Sequence, residues 1–549
     1  MATDREVTMP GDVRDVVVVG GGHNGLACAA YLARGGLDVL VLESRSTPGG
    51  AAATEEPWPG YRVSTASYVV SLMPERIVSE LNLKRHGYRV TVLEPDYYIP
   101  YADGTALTLW GDTQRCAAEI ARFSTRDARS YVEFDAYLTR LGHLVHELLY
   151  VVPPNLKLSE LPRWAGLGGR LRRWTGRDVA EVVRLFTVSA ADFLDEWFSD
   201  ERVKGALASQ AIIGAWTGPM SPGSAYVLLH HWMGSVEGRE GAWAWVHGGM
   251  GSVGTALAGA AREAGAEVRM SAPVARVVVD NGAAAGVELQ DGTVQRARRV
   301  VSNAHPITTL RDLVGEEHLS PDVARDVRRF RTRSGSVKVN LALGDLPRPR
   351  SWEGPVPGDP HTGIFSISPS IEYLERAWDD AKYGRMSEHP YIEAVFPTVF
   401  EPGLAPEGKH IALCFTQFGP FELAEGSWDD GGREAYGNKI VETLSHYAPN
   451  VEAAVEAVEV LAPADIERRF GLLGGNIFQG DMTPDQMFML RPIPGYADYR
   501  TPVARLYMCG SGTHPGGGVM AVPGLNCAGV VLRDVRRNRL LRREKPNDP

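Results

Sequence analysis

Paired cysteines, long apolar runs and metal-binding motifs are missing from this sequence. The 549-residue chain has five cysteines and no C-x-x-C or C-x4-C pair. A redox-active dithiol and a structural zinc site are therefore not expected, and the protein is expected in a reducing compartment. No apolar run approaches the ~18–20 residues of a membrane span. No H-E-x-x-H spacing occurs, so no metal is expected. The polar first fifteen residues predict no secretory signal and hence a cytoplasmic location.

An excess of positive charge is also missing. The formal net charge is −10, and only eight of the 57 basic residues are lysines. This balance excludes a general affinity for nucleic acid. With 44% hydrophobic residues and no low-complexity linker, the chain is expected to fold. At this length it needs more than one core, either in tandem or interleaved.

Glycine, in contrast, is abundant, with 60 residues, and its first cluster lies in a recognisable context. Val16–Val19 is apolar and β-branched, as in a buried parallel strand, and Val39–Leu42 repeats that pattern. Between them stand the loop 20–25 and the helix-favouring stretch 26–34. This order predicts the β–loop–α–β opening of a doubly wound sheet.

The loop itself carries the spacing of a dinucleotide-binding motif. Gly20, Gly22 and Gly25 form G-x-G-x-x-G between a strand and a helix, where the helix N-terminus offers free N–H groups to phosphates. Glu43 follows at the end of the second strand, where a carboxylate accepts ribose hydroxyls. The acid favours FAD or NAD over NADP.

A second diglycine favours FAD. Gly49 and Gly50, with Arg45 before them, match the pattern of flavoproteins of the amine oxidase and phytoene desaturase type. Ala51 stands where those families usually have arginine.

Two further glycine clusters lie far along the chain. The segment 245–254 reads WVHGGMGSVG and precedes a helix. It predicts either a second dinucleotide site, for NAD(P)H, or a return of the chain to the first domain. The segment 506–529, LYMCGSGTHPGGGVMAVPGLNCAG, combines a strand, a small-residue turn and a helix.

Together these stretches resemble the phytoene desaturase-like FAD-dependent oxidoreductases over nearly the whole chain, and most of all the subgroup called pyridine nucleotide-disulfide oxidoreductase domain-containing protein 2. The resemblance rests on GHNGLACAAYL, GGAAATEE, YVVSLMPERI, IIGAWTGPMSPGSAYVLLHHWMG, GGMGSVGTAL, VVSNAHP and GSGTHPGGGVM. It implies an α/β fold, in which a discontinuous Rossmann-like FAD-binding domain (12–90, 240–310 and 470–540) is interrupted by an inserted α+β substrate domain (91–239 and 311–469), with flexible ends at 1–11 and 541–549.

The same resemblance implies which residues hold FAD. Those expected to contact it are Gly20, Gly22, His23, Asn24, Gly25, Glu43, Arg45, Gly49, Gly50, Ala51, Val274, Gly510, Gly512, Gly518, Val519 and Met520.

Candidates for the chemistry itself are few. His230 and His231 follow an apolar stretch and titrate in a useful range, although packed, hydrogen-bonded histidines are an equally ordinary explanation. Arg491 is a candidate for binding a substrate carboxylate, with an internal ion pair as the alternative.

The sequence thus predicts an FAD-dependent oxidoreductase that transfers hydride from a C–C or C–N bond of a lipophilic small molecule to the flavin. One alternative is redox-neutral isomerisation or hydration of a double bond, and another is a lipid- or partner-binding protein on the same fold. The basic, aromatic stretch 163–177 indicates either peripheral contact with a membrane or a solvated helix face. The electron acceptor and the oligomeric state are not fixed by the sequence.

Overall fold

The computed structural model describes residues 13–155 and 160–543. The predicted flexible ends 1–11 and 541–549 lie outside the described residues, except for 541–543, which continue the last helix.

The strands are numbered in chain order: β1 Val16–Val19, β2 Val39–Leu42, β3 Thr54–Trp58, β4 Tyr61–Ser64, β5 Val90–Val92, β6 Tyr97–Pro100, β7 Ala106–Leu109, β8 Ser235–Val236, β9 Arg239–Glu240, β10 Ala244–Val246, β11 Glu267–Arg269, β12 Val274–Asp280, β13 Ala283–Leu289, β14 Val294–Arg296, β15 Val300–Ser302, β16 Ser336–Leu343, β17 Ile364–Ile367, β18 Tyr391–Val395, β19 His410–Gln417, β20 Val455–Leu461 and β21 Leu506–Met508.

The α-helices are α1 His23–Arg34, α2 Glu75–Glu80, α3 Thr113–Ile120, α4 Thr125–Leu149, α5 Leu161–Leu171, α6 Gly176–Leu185, α7 Ala190–Asp195, α8 Glu201–Ala208, α9 Ser224–Trp232, α10 Gly251–Glu263, α11 Pro321–Arg329, α12 Asp359–Thr362, α13 Ile371–Lys382, α14 Asp430–Tyr447, α15 Val451–Ala454, α16 Pro463–Phe470 and α17 Val522–Arg543.

A parallel sheet of five strands, in the order β11-β2-β1-β15-β21, forms one half of the fold. β1 and β2 are fully buried runs of Val and Leu, as expected for strands covered on both faces. Helices α1, α10 and α17 pack together beside this sheet. Its strands come from all three segments predicted for the FAD-binding domain, so residues far apart in sequence share one sheet.

A second sheet of seven strands, in the order β20-β16-β19-β18-β17-β6-β7, forms the other half. Its pairs are antiparallel except for the parallel pair β17–β6. One face is apolar: Val337, Val339, Ile392 and Cys414 belong to a core that includes residues of α14. The alternate residues face the opposite way. All seven strands lie inside the segments predicted for the substrate domain, whose exact boundaries remain predictions.

The short strands of residues 274–302 belong to two different sheets. β12 and β13 pair with β14 in a separate three-stranded sheet, whereas β15 joins the parallel sheet between β1 and β21. The short apolar sequence of β15 cannot reveal this, because pairing partners are set by the chain path and not by local composition. Helices α3 to α9 follow one another between residues 113 and 232. None of the described helices is both long and apolar enough to cross a bilayer.

Candidate functional site

A cavity of about 580 Å³ lies between the two sheets, a size typical of small-molecule sites. It opens at the carboxyl ends of β1 and β2, where Val19, Gly20, Leu42 and Glu43 line it. This is the place where doubly wound sheets bind their ligands. The second sheet closes the other side through residues of β16 and β19.

The first glycine loop brings backbone into this cavity. Gly20 adopts a positive φ of 94°, which glycine tolerates without strain. At Gly25 an added Cβ would stand 2.2 Å from the Gly20 carbonyl oxygen, so glycine is required for α1 to approach the loop. α1 has no side-chain cap and no acidic residue in its first turn, which leaves its N–H groups and its positive dipole end available to an anion.

Glu43 lines the cavity in a fixed orientation. Its Oε2 accepts the Gly21 N–H at 2.6 Å, and its Oε1 accepts the Arg45 N–H at 2.8 Å. Two backbone donors therefore hold a buried carboxylate at the end of β2, where the sequence places the ribose-binding acid.

The diglycine loop is clamped beside the first loop. The Gly49 N–H donates to the Gly21 carbonyl at 2.8 Å, and Arg45 Nη1 donates to the Gly50 carbonyl at 2.7 Å. Arg45, Gly49, Gly50 and Ala51 all line the cavity, as does Val274.

The second glycine cluster supports this loop. An added Cβ at Gly254 would stand 2.5 Å from the Gly49 Cα, and the Gly251 N–H donates to Thr54 Oγ1 at 3.0 Å. The chain then runs through α10 into β11, an edge strand of the same parallel sheet. The cluster therefore returns the chain to the first dinucleotide domain, and the alternative of a second NAD(P)H site is not supported.

The third cluster contributes fewer contacts than expected. Gly518 and Val519 line the cavity together with Ser511, whereas Met520 is buried in the core.

The neighbouring glycines serve packing. An added Cβ at Gly510 would meet the Asn303 carbonyl oxygen at 2.7 Å, and one at Gly512 would meet Pro306 Cδ at 2.3 Å. Gly25, Gly510, Gly512 and Met520 are absent from the cavity lining, and their contacts with FAD remain predictions.

The residues of this cavity fit FAD. His23 Nε2 and Asn24 Oδ1 are buried, have no hydrogen-bond partner within the described chain and line the cavity beside the α1 N-terminus. Buried polar atoms rarely stay unpaired, so these two atoms indicate a polar ligand there. A glycine cradle for a pyrophosphate and a fixed acid for a ribose complete the set.

The same cavity also has an apolar and aromatic part, called the chamber here and defined by the lining residues Tyr68, Leu72, Ile213, Trp243, Phe415, Ile477 and Phe478. The rings of Tyr68 and Phe415 are stacked with centroids 5.9 Å apart.

Lys338 is a chamber residue that the sequence reasoning missed. It lies on β16, is buried and lines the cavity. Its Nζ donates to Asn340 Oδ1 and stands 5.7 Å from the Tyr68 ring centre. Burial lowers the pKa of Lys338 to about 7, so its charge changes near neutral pH. A lysine among the alternating valines and leucines of SVKVNLAL, in a chain with eight lysines, was the available signal.

The structure separates the two candidate histidines. His231 lines the cavity, and its Nδ1 lies 2.9 Å from the Gln210 carbonyl oxygen. That acceptor requires the proton on Nδ1, which leaves Nε2 as an acceptor. Burial lowers the pKa of His231 to about 4 and that of His230 to about 3, so both are neutral. His230 is fully buried behind the cavity wall, against Phe478.

A buried carboxyl group holds the chamber wall in place. Glu393 accepts hydrogen bonds from the hydroxyl of Tyr68 and, at 2.5 Å, from that of Tyr391. Burial raises the pKa of Glu393. Because its hydroxyl is bound to Glu393, Tyr68 presents its ring to the chamber.

Arg491 has an internal role. Its guanidinium is fully buried and all its N–H groups are directed at backbone carbonyls, those of Phe478, Gln479, Asp481, Gln486, Ser511 and Thr513. No donor is left for a substrate, and the residue does not line the cavity. The expectation that Arg491 binds a substrate carboxylate was wrong, because a lone arginine in the sequence does not reveal which carbonyls surround it.

The five cysteines are buried and free. The described residues contain no cluster of three or more metal-binding side chains.

Comparison with protein families gives two matches. Residues 114–456, more than half of the chain, match the family described as flavin containing amine oxidoreductase. Residues 18–81 match the NAD(P)-binding Rossmann-like domain, which coincides with the first glycine loop and Glu43.

Curated relatives align along almost the whole chain. The Rattus norvegicus protein named pyridine nucleotide-disulfide oxidoreductase domain-containing protein 2 is 39% identical and covers 95% of this chain and 94% of its own length. One of the limonene dehydrogenase subunits of Castellaniella defragrans is 28% identical, with 95% of each chain covered. The lycopene-forming phytoene desaturase of Pantoea ananas is 23% identical and covers 95% of this chain and all of its own.

Among solved structures, a putrescine oxidase variant has a similar fold. Its TM-score is 0.59 at 17% identity, with 96% of this chain and 99% of that chain covered. The two-sheet architecture is thus that of a known flavoenzyme fold.

Proposed function

Because the chain belongs to the family of flavin containing amine oxidoreductases, we propose that it oxidises a largely apolar small molecule at a C–C or C–N bond. FAD is its cofactor, and the protein is an FAD-dependent oxidoreductase. The observation that carries the proposal is the continuity of the dinucleotide cradle with an aromatic chamber in one cavity. An apolar substrate gains free energy on entering such a chamber.

When bound, FAD supplies a hydride acceptor for the substrate carbon. The walls formed by Tyr68, Phe415 and Trp243 orient the substrate and exclude water. His231, neutral and with Nε2 free to accept, is proposed to take a proton from the substrate. Lys338 is the second group of the chamber able to hold or release a proton near neutral pH.

The names of two relatives favour a C–C bond. One is a dehydrogenase of limonene and the other a desaturase of phytoene, and both compounds are hydrocarbons.

The test is anaerobic reduction of the bound flavin. Purified holoenzyme is mixed with apolar alkenes, saturated analogues and amines, and bleaching of the flavin absorbance is followed. We expect reduction by an apolar compound, and a His231→Asn variant that keeps its flavin but reduces it at least ten-fold more slowly. Loss of flavin from the purified protein on mild dilution, or no reduction by any class, would contradict the proposal.

Redox-neutral isomerisation or hydration of a double bond remains the second candidate, because the same cradle and chamber serve it. The two are separated by turnover with an added electron acceptor. Net consumption of the acceptor in proportion to product supports oxidation, and product without consumption supports the neutral reaction.

We also propose a cytoplasmic enzyme that contacts anionic membranes through the surface of α5 and α6. Within the stretch 163–177, Arg170, Arg172 and Arg173 are exposed, whereas Leu167 is buried and Trp164, Leu171 and Trp174 are half-buried. Leu161, at the start of α5, is 60% exposed. Basic side chains beside an exposed apolar side chain suit an anionic bilayer. Sedimentation with phosphatidylserine vesicles, but not phosphatidylcholine vesicles, is the expected result, and it is lost when the three arginines are replaced by serine.

A further inference from the structure

We propose that the chamber accepts a substrate with an oxygen-bearing end group, uncharged or acidic, and excludes a protonated amine. This inference rests on the function proposed above and names its substrate class. It is argued from the charges and the unpaired donors of the cavity wall.

The wall of the cavity, as far as the structure describes it, holds one cation that has no carboxylate partner. Among the described residues that line the cavity, the lysine and arginines are Arg45, Lys338, Arg468 and Arg469, and the acidic residue is Glu43. The three arginines form salt bridges with Glu55, Asp465 and Glu459, which leaves the Lys338 ammonium without one in the described chain. Glu43 lies at the end of β2, in the dinucleotide cradle, with its oxygens held by backbone N–H groups. A cationic end group in the chamber would therefore meet the Lys338 ammonium without a facing carboxylate, at a cost that grows as the dielectric falls.

The carboxyl groups behind the wall do not offset this charge. Glu393 lies behind the Tyr68 ring, binds two tyrosine hydroxyls and has its pKa raised by burial, which favours its neutral form. Glu459 accepts from Asn340 at 2.9 Å and from Arg469 at 2.9 Å, so its charge is already paired.

Unpaired polar groups of the wall lie beside Lys338 and suit a ligand oxygen. The Oγ atoms of Ser71 and Ser336 are buried, line the cavity and have no hydrogen-bond partner within the described chain. Ser336 and Lys338 are two residues apart on β16, so their side chains project from the same face of the sheet. An ammonium group is a donor only, with three N–H groups, and Asn340 takes one of them. The two hydroxyls can donate or accept, so they suit a ligand oxygen without excluding an ammonium group. The selection against an ammonium end group comes from Lys338, which cannot accept a hydrogen bond and carries the same charge.

The experiment compares three probes with the same alkyl chain on the holoenzyme: decanoate, decanol and decylamine. Binding is measured through the shift in the flavin absorbance, which does not depend on turnover. At pH 7 we expect decanoate and decanol to bind at least ten-fold more tightly than decylamine. In Lys338→Met the gap between decanoate and decylamine should shrink to within about three-fold. Lys409→Met, which removes an exposed lysine paired with Glu456, is the matched control and should keep the wild-type order.

A pH series adds an independent readout. Lys338 loses its proton near pH 7, so the advantage of decanoate over decanol should fall from about pH 6 to about pH 8.5. The other titratable groups around Lys338 are Tyr68, Cys414 and Glu459. Burial raises the pKa of the Cys414 thiol to about 12 and that of Tyr68 well above its usual value, so neither changes charge in this range.

Tighter binding of decylamine, equal binding of all three probes, or binding of none overturns the inference. Its failure is distinguishable from failure of the proposed function. If decylamine binds best while apolar compounds still reduce the flavin, only the proposed selection by charge is contradicted. If the probes bind in the expected order while no compound reduces the flavin, only the proposed oxidation is contradicted.

Discussion

Gly25 stands where the first turn of α1 passes closest to the loop before it. The distance of 2.2 Å from an added Cβ to the Gly20 carbonyl oxygen is far below any real contact, and the Asn303 side chain closes the same space at 3.0 Å. Neither backbone segment can move away without displacing the cradle, so a single methyl group at this residue acts on the whole dinucleotide site.

Gly25→Ala should therefore abolish or strongly reduce FAD binding, by at least a hundred-fold in Kd, with a loss of stability of about 2 kcal/mol or more. The measurement is the ratio of flavin to protein after purification and reconstitution. Gly168→Ala is the control: its added Cβ meets open space in α5, so it should keep full flavin content and add a few tenths of a kcal/mol. A fully flavinylated Gly25→Ala protein would contradict the assigned packing.

Among the elements, the central strands of the second sheet place two ionisable side chains on a buried face. Lys338, Phe415 and Glu393 are direct cross-strand neighbours on β16, β19 and β18, and all are buried. The opposite face of the same strands is apolar and packs on α14. Burying an ionisable group in a sheet face lowers stability unless the group has hydrogen-bond partners. Here Lys338 is bound to Asn340, and Glu393 is bound to Tyr68 and Tyr391.

Glu393 gives a test of this element. In Glu393→Leu the hydroxyls of Tyr68 and Tyr391 lose their acceptor, and we expect a loss of about 2–4 kcal/mol in the free energy of unfolding. Glu393→Gln keeps an acceptor oxygen, and because the carboxyl favours its neutral form, it should stay within about 1 kcal/mol of the wild type. Urea unfolding measures both. A glutamine variant as unstable as the leucine variant would show that the ionised carboxylate is needed.

The cavity depends on the whole molecule, because the parallel sheet supplies the cradle and the antiparallel sheet supplies the chamber. A ligand that touches both halves stabilises their arrangement by mass action.

Removal of FAD should accordingly lower the thermal midpoint and expose the chain between the two halves to trypsin. At a free FAD concentration of about 100 times Kd the expected gain is about 2.7 kcal/mol. Differential scanning fluorimetry with and without added FAD measures it, and Gly25→Ala should show no such gain. A midpoint that does not respond to FAD would place the ligand outside this cavity.

Acid should destabilise the protein at pH values well above the usual pKa range of carboxylates. Burial lowers the pKa values of His23, His231 and His514 to about 4 and those of His230 and His305 to about 3. Below their unfolded pKa of about 6.5 the unfolded chain takes up protons that the folded chain refuses, so stability is lost as pH falls toward 4.

Two buried acids oppose this effect. Burial raises the pKa of Asp96 to about 7, so this group favours the folded state as pH falls through the same range. Burial also raises the pKa of Glu393, which acts in the same direction. The five buried histidines outnumber these two acids, so unfolding takes up protons on balance as the pH falls below 6.5. Urea unfolding at pH 7, 6 and 5 should show a loss of several kcal/mol, and stability that is constant or rises on acidification would contradict this account.

The sequence by itself determined the dinucleotide half of the protein. The strands β1 and β2, the loop at Gly20–Gly25 and the position of Glu43 follow from local patterns, because a phosphate-binding turn needs its residue types at fixed spacing along one stretch of chain.

Only the tertiary structure decided the chamber. Lys338, Tyr68, Ser71 and His231 come from distant segments and meet because β16 and β19 close over the parallel sheet. The sequence likewise did not reveal that Arg491 binds only backbone carbonyls, whereas Lys338 lines the cavity. Burial and partners belong to the folded surroundings of a side chain, and neighbouring residues in the sequence do not encode them.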